Sequence, residues 1–583
     1  MLRPPFEWQQ WPRVTTLRRV TSAAHLLFGL ALSLLSWRAL EQGWLADSLT
    51  DPWAAAAIRA GIPFVALAGT ALSLAAGRLG GDPARAFRHD ACSAFALVVL
   101  IFFLAMGGMP RDTVGLFVVL AVATRLAPAA WWTVRFGAPP LFVLALCLAF
   151  YAPLAGWRVA ASLPLGDQVF YLLSAERLAH GSLDASIDPR RFFELLGIPP
   201  QPIDAATHVA DAPAGPRLVQ GYALPALLAP GWLLGGEVGA TLVVALFAAW
   251  AATQTWLLLG ETVPDQRVAR KTWALVAFLV PAASLATHIY PNAVGAALIV
   301  TGFRCAFTAR HRRPALAGAL LGATAFLNPR DGLVLVALAP FALSWERVAR
   351  LRFAAGAGAL VILAALVSFV TFGVPVPYAG YIFGTSAAQT IDPEPTWTFR
   401  FWIGLPALLF DRVFGVAGTA PWLLLAALGL VPALRNARAR LLPAATTVGA
   451  SLALLSLFRL WEGGYAPPNR YLVDVLPLAA PFVAFGLAAA RGIVLRALAG
   501  IVIGTSALLT LFLLAVPTAA LNSAFDDKPR ALLATALGID PFGWLPSFQP
   551  TTPDWWIAAY LRLVPALALV ALLAWLGARR ART

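Results

Sequence analysis

The sequence predicts an all-α, polytopic membrane protein of about sixteen transmembrane helices with a large first outer loop. Three observations carry this expectation. The chain is 60% hydrophobic and only 12% charged, whereas a soluble domain carries about a quarter charged residues. Apolar runs of about 20 residues, enough to cross a ~30 Å hydrocarbon core, recur from Thr21 to Leu576. Finally, the 43 Lys+Arg exceed the 28 Asp+Glu, giving a net charge of +15. These basic residues lie in short clusters between apolar runs, the pattern of cytoplasmic loops rather than of a nucleic-acid surface. No nucleic-acid partner is expected.

Taken in order, spans are expected at 21–37, 53–77, 91–109, 113–132, 137–157, 238–259, 272–290, 292–309, 315–327, 332–345, 354–373, 417–434, 441–458, 473–490, 495–517 and 557–578. The first run, Thr21–Trp37, follows Arg13, Arg18 and Arg19 without a small-residue cleavage site and reads as an uncleaved span. With both termini cytoplasmic, the clusters at Arg78–Arg88, Arg267–Lys271, Arg310–Arg313, Arg347–Arg352, Arg435–Arg440, Arg491–Arg496 and Arg579–Arg582 all fall inside. This requires Tyr222–Leu234, interrupted by Pro225 and Pro230, to be an interfacial or re-entrant piece. The pieces flanking Asn328–Arg330 are short for spans and could form a re-entrant hairpin. Outer loops are then 158–220, 374–416, 459–474 and 518–555. Cys92, Cys147 and Cys305 sit within apolar runs as small buried hydrophobes.

Residues able to do chemistry gather on the outer side. After the fifth span, Gln168–His180 has the apolar pattern of a helix closed by Gly181, placing Asp167 at its N-terminus. Asp167 could simply cap that helix. Functionally, a carboxylate there could take a proton from an acceptor hydroxyl or hold a divalent cation against a phosphate. Arg330, in Asn328-Pro329-Arg330-Asp331, and Arg470, in Pro467-Pro468-Asn469-Arg470-Tyr471, are candidates for binding phosphate through the planar guanidinium fork. The plainer reading makes each an interfacial anchor or a salt-bridge partner, Arg330 with Asp331 and Arg470 with Asp474. His288 and Tyr290 lie at a polar turn, where His288 reads first as a hydrogen-bonded helix terminus. Trp461, Glu462 and Tyr465 lie beside the Arg470 turn, where interfacial aromatics need no function but sugar stacking is the sharper alternative.

The run Gly166-Asp167-Gln168-Val169-Phe170-Tyr171-Leu172, with Ala175-Glu176 and Gly181-Ser182-Leu183-Asp184, resembles the first outer loop of bacterial GT-C membrane glycosyltransferases, related to the protein O-mannosyltransferases and aminoarabinose transferases. Tyr222-Ala223-Leu224-Pro225, Ile289-Tyr290-Pro291, Asn328-Pro329-Arg330, Asp411-Arg412-Val413-Phe414-Gly415 and Gly463-Gly464-Tyr465-Ala466-Pro467-Pro468-Asn469-Arg470-Tyr471 are similar, in order, to motifs of uncharacterised members. The likeness runs from about Gly137 to Arg491, leaving 1–136 as a four-span extension to a GT-C-like membrane domain at 137–583. It implies transfer of a sugar from a polyprenyl-phosphate donor to a glycan, lipid or protein acceptor, at the outer face of a bacterial cytoplasmic membrane. Asp167 would be the catalytic or metal-organising acid; Gln168, Tyr171, His288, Tyr290, Arg330, Glu462, Tyr465, Arg470 and Tyr471 are the candidate substrate-binding residues. One position departs from the pattern: Gln168 stands where an acidic residue is usual, which weakens a two-carboxylate metal site. No metal ligand is assigned, and a divalent cofactor is left open.

Two other classes share many of these features. A lipid or glycan transporter or flippase also needs many spans and broken helices, usually with polar groups near the midplane and two related halves. A surface-glycan polymerase or ligase would share the lipid donor.

Overall fold

The structure, a computed structural model, describes residues 137–183, 189–196, 209–310, 312–377, 379–380, 401–458, 466–520, 543–548 and 555–580, with isolated positions Leu126, Ala130, Thr133, Val134, Trp461 and Gly463. Apart from Leu126 and Ala130, the four spans expected before residue 137 lie outside the described residues, as do Glu462 and Tyr465.

The described chain is an all-α membrane protein carrying one small hairpin. Six helices are long and apolar enough to cross a bilayer. They are α1 (Pro140–Ala161), α4 (Ala223–Thr262), α10 (Arg347–Phe372), α13 (Leu425–Ser456, entered through a turn at Pro421–Leu424), α15 (Ile493–Ala515) and α16 (Trp555–Arg580). Helices α10, α15 and α16 present contiguous exposed apolar side chains, among them Leu366, Phe369, Val370, Ile501, Leu508, Leu561 and Val564. Left uncovered among the described residues, such apolar faces fit helices that lie against lipid.

Between these run α2 (Asp167–Ala179), α3 (Pro189–Leu196), a hairpin of β1 (Val209–Ala212) and β2 (Gly215–Leu218), α5 (Gln266–Phe278), α6 (Ala282–Leu285) and α7 (Asn292–Phe303), which continues as a π-helical turn to Thr308. Next come α8 (Pro314–Ala323), α9 (Pro329–Ala342), α11 (Phe401–Phe410), α12 (Val416–Thr419) and α14 (Leu476–Ala489).

Among the described residues, the twelve spans expected from residue 137 onward do not all form full spans. Hydropathy counts apolar residues but not the points at which the backbone stops being helical. Prolines that restart helices divide the apolar runs: Pro281 precedes α6, Pro291 precedes α7, and Pro329 and Pro477 occupy first-turn positions of α9 and α14. At 10 and 14 residues, α8 and α14 are roughly 15 and 21 Å long, short of a ~30 Å core. The spans expected at 417–434 and 441–458 merge into α13, interrupted at Ala437 (φ −140°, ψ 38°) inside the arginine cluster. The outer loop expected to open at Arg158 begins only after Ala161, because Arg158 is buried within α1.

Tyr222–Leu234 is the first arm of α4, separated from the rest by Gly235 and Gly236, the latter at φ 54°, ψ −139°. That left-handed backbone suits glycine. Beyond the break the arms touch: a methyl group on Gly231 would meet the Gly239 carbonyl oxygen at 2.5 Å. The segment expected to be interfacial or re-entrant is thus the first arm of a kinked helix.

The core fills the space between α1, α4, α5, α7, α13 and α14, with buried Trp273 and Trp422 at its heart. Their indole N–H groups donate to the carbonyl oxygens of Ala252 (3.0 Å) and Val280 (2.9 Å), which makes such large amphipathic rings affordable in an apolar interior. Helices α8 and α10 approach through small residues; a methyl on Gly318 would lie 2.0 Å from the Phe353 oxygen, the close packing by which helices associate in lipid.

Candidate functional site

The short helices share a destination. Helices α7, α9 and α14 begin, and α8 with its terminal turn ends, at one buried polar cluster built from Asn292, Asn328, Arg330, Asp331, Arg470, Tyr471 and Asp474, with Asp167 at the start of α2. Non-helical backbone inside an apolar protein is tolerable where polar partners satisfy it.

Asp167 occupies the first helical position of α2, after the N-cap residue Gly166 at φ 59°, which offers no side chain to cap the helix. Its Oδ2 accepts from Arg470 Nη1 at 2.9 Å, and its Oδ1 lies 3.4 Å from Gln220 Nε2. Arg470 sits on a tight turn that starts after Asn469, whose φ of 59° is left-handed. Asparagine tolerates that conformation better than most side chains. Arg470 Nη2 donates to the Tyr471 hydroxyl at 3.0 Å, and its guanidinium lies over the rings of Tyr290 (4.8 Å) and Tyr471 (4.7 Å). Arg330 covers the Tyr471 ring too, at 4.1 Å, with its Nε 3.5 Å from Asp474 Oδ2.

Both arginines therefore flank one tyrosine, and each pairs with a carboxylate other than its sequence neighbour. The plain expectation of Arg330 with Asp331 and Arg470 with Asp474 is corrected to Arg330 with Asp474 and Arg470 with Asp167. Helix geometry explains the exchange. Asp331 Oδ2 is taken by the Asn328 amide that also caps α9, and Asp474 Oδ2 by the Asn292 amide at the start of α7.

Other expected site residues take different places. Gln168 is wholly buried, its Oε1 accepting the Ile289 N–H at 3.0 Å and its Nε2 donating to the Leu165 carbonyl at 3.3 Å. It braces α2 against the turn that carries Tyr290. Tyr171 is packed in the apolar cluster beneath α2. His288 is buried, with Nδ1 donating to the Ser284 carbonyl at 2.8 Å, so it ends a helical turn. Burial, then the charge of Arg158, pushes its pKa down to about 3 and keeps the ring neutral.

Sequence reasoning missed a second polar centre. Arg158, 1% exposed, donates to Glu237 Oε1 (2.6 Å), Thr241 Oγ1 (2.8 Å) and the Thr287 carbonyl (2.9 Å). It ties α1, α4 and the His288 turn together. The available signal was Glu237, a lone acid beside two glycines in an otherwise apolar run. Asp411, from the expected motif at 411–415, is a turn device: its carboxylate accepts the N–H groups of Val413, Phe414 and Phe548.

Beside the cluster lies a cavity of about 360 Å³ walled by Leu178, Leu183, Tyr222, Ala325, Val367 and Phe372. Gln220, whose Nε2 lies 3.4 Å from Asp167 Oδ1, is among its lining residues, and helix α10 forms one wall. The space is of ligand size and mostly apolar. No family model, curated protein or solved structure matches this chain.

Proposed function

We propose that this protein transfers a glycosyl group from a polyprenyl-phosphate donor to an acceptor hydroxyl at the outer face of a bacterial cytoplasmic membrane, as a GT-C-type glycosyltransferase. The observation that carries this reading is the meeting of Asp167, Arg470 and Arg330 beside an apolar cavity walled by a membrane-spanning helix. A greasy phosphate ester needs those two environments side by side.

In the proposed reaction the acceptor oxygen attacks the anomeric carbon, and the bond from that carbon to the phosphate oxygen breaks. Polyprenyl phosphate leaves, and the acceptor proton passes to Asp167. Arg470 and Arg330 hold the phosphate as its charge grows, at a site largely shielded from water. In the resting protein Arg470 is engaged by Asp167. A donor phosphate would draw the guanidinium away and release the carboxylate as a base only once substrate is present.

A transporter or flippase is the second reading, favoured by the short helices that end at a shared polar centre. Liposomes containing purified protein and a radiolabelled polyprenyl-phosphate sugar separate the two. Transfer predicts free polyprenyl phosphate and a labelled acceptor. Label that crosses the bilayer still attached to its lipid would replace the transferase reading with the transporter one.

A further inference from the structure

Asp331 and Asp474 have no part in the transfer chemistry, yet they are 1% and 2% exposed and lie together. A methyl group on Gly295 of α7 would sit 2.9 Å from Asp331 Oδ2 and 2.9 Å from Asp474 Oδ1. Two carboxylate oxygens therefore crowd one point where only glycine leaves room. The groups facing them are few. Asn292 on α7 and Asn328 before α9 each donate one amide N–H, Arg330 approaches Asp474, and Arg470 and Tyr471 lie beyond Arg330. With Arg470 already paired to Asp167, a single arginine stands against two buried carboxylates.

Asp474 Oδ1 is buried and has no hydrogen-bond partner when both acids are counted as acceptors. Two acceptors cannot satisfy each other, and a buried, uncompensated negative charge is costly. A proton between them supplies the missing donor and makes the Arg330–Asp331–Asp474 trio neutral.

We infer that Asp331 and Asp474 form a proton-sharing dyad that holds one proton at neutral pH and so fixes the charge Arg330 can offer to an anionic ligand. With the proton, one negative charge faces Arg330; without it, two do, and the guanidinium is masked. The masking of a phosphate site rests on the function proposed above. The proton itself does not.

The test is infrared difference spectroscopy of the purified full-length protein with no donor present. A C=O stretch of a protonated carboxyl group is expected at neutral pH, shifted in D₂O and lost in both Asp331→Asn and Asp474→Asn. Wild-type protein without such a band overturns the dyad whether or not the variants fold, as does a band that survives in both folded variants. The consequence is read with a prenyl phosphodiester, whose single charge is fixed at neutral and alkaline pH. Its affinity should fall at least tenfold as alkali removes the band. Binding that stays level while the band titrates overturns the control of Arg330. No binding at any pH, with the band present, instead counts against the proposed function.

Discussion

Arg470 Nη1 lies 2.9 Å from Asp167 Oδ2, joining positions 303 residues apart in the chain. The pair closes one end of the buried cluster. The same carboxylate lies 3.4 Å from Gln220 Nε2 through its Oδ1, so it links the start of α2 to two distant parts of the chain. Asp167→Asn keeps an oxygen that can accept from Arg470 and removes the basicity. The variant is expected to melt within a few degrees of wild type and to lose transfer by about 10²–10⁴-fold, the range for a positioned general base. Wild-type turnover in this variant, measured as polyprenyl phosphate released, would take Asp167 out of the chemistry.

Arg470 tests the phosphate role separately. Lysine keeps the charge but loses the planar fork and the broad contact with Tyr290 and Tyr471. Arg470→Lys is expected to weaken binding of a polyprenyl-phosphate sugar by about tenfold, roughly 1.4 kcal/mol, and Arg470→Ala by more. Titration of both variants by intrinsic tryptophan fluorescence supplies the comparison. Equal affinity in wild type and Arg470→Ala would remove this side chain from phosphate binding.

The Arg158–Glu237 pair concerns stability. With the arginine 1% exposed and the pair at 2.6 Å, deleting one partner strands a charge in an apolar interior. Glu237→Ala is expected to cost about 3–5 kcal/mol, read as a large fall in melting temperature. The double variant Arg158→Met, Glu237→Leu should recover most of that loss, since an apolar replacement of a buried ion pair is often neutral. A double variant no more stable than Glu237→Ala would show that the hydrogen bonds from Arg158 to Thr241 and Thr287 matter more than the charge pair.

These residues also mark how far the sequence could be read. Helices, lipid-facing surfaces and the break near Asn328 were legible, because apolar composition and proline act locally. So was the grouping of Asp167, Arg330 and Arg470, since costly polar residues at successive helix ends leave few places to meet. Their partners were not: sequence distance favoured Arg330 with Asp331, while the Asn292 and Asn328 amides set the orientation of the two acids. The burial of Arg158 was equally hidden. Its partner Glu237 lies beyond a loop, a hairpin and a glycine break whose geometry no hydropathy window contains.

The pH dependence of stability carries the sign of the acid pair. Burial, opposed by Arg330, raises the Asp331 carboxyl above its ordinary value, and burial together with the adjoining Asp331 raises Asp474 well above it; both residues lie outside the six long helices. A raised acid keeps its proton in the folded protein after the unfolded chain has lost it, near pH 3.9. The folded state then binds more protons, so this contribution is complete below that pH and is lost as pH climbs through the pair's folded value. Melting temperature is therefore expected to decline with rising pH across that window. In Asp474→Asn the decline should be shallower, because an amide carries no proton to lose. Melting curves of the two proteins at matched ionic strength decide the matter: parallel pH profiles would mean that the acids beside Arg330 are ionised in the fold, and the shared proton would have to be abandoned.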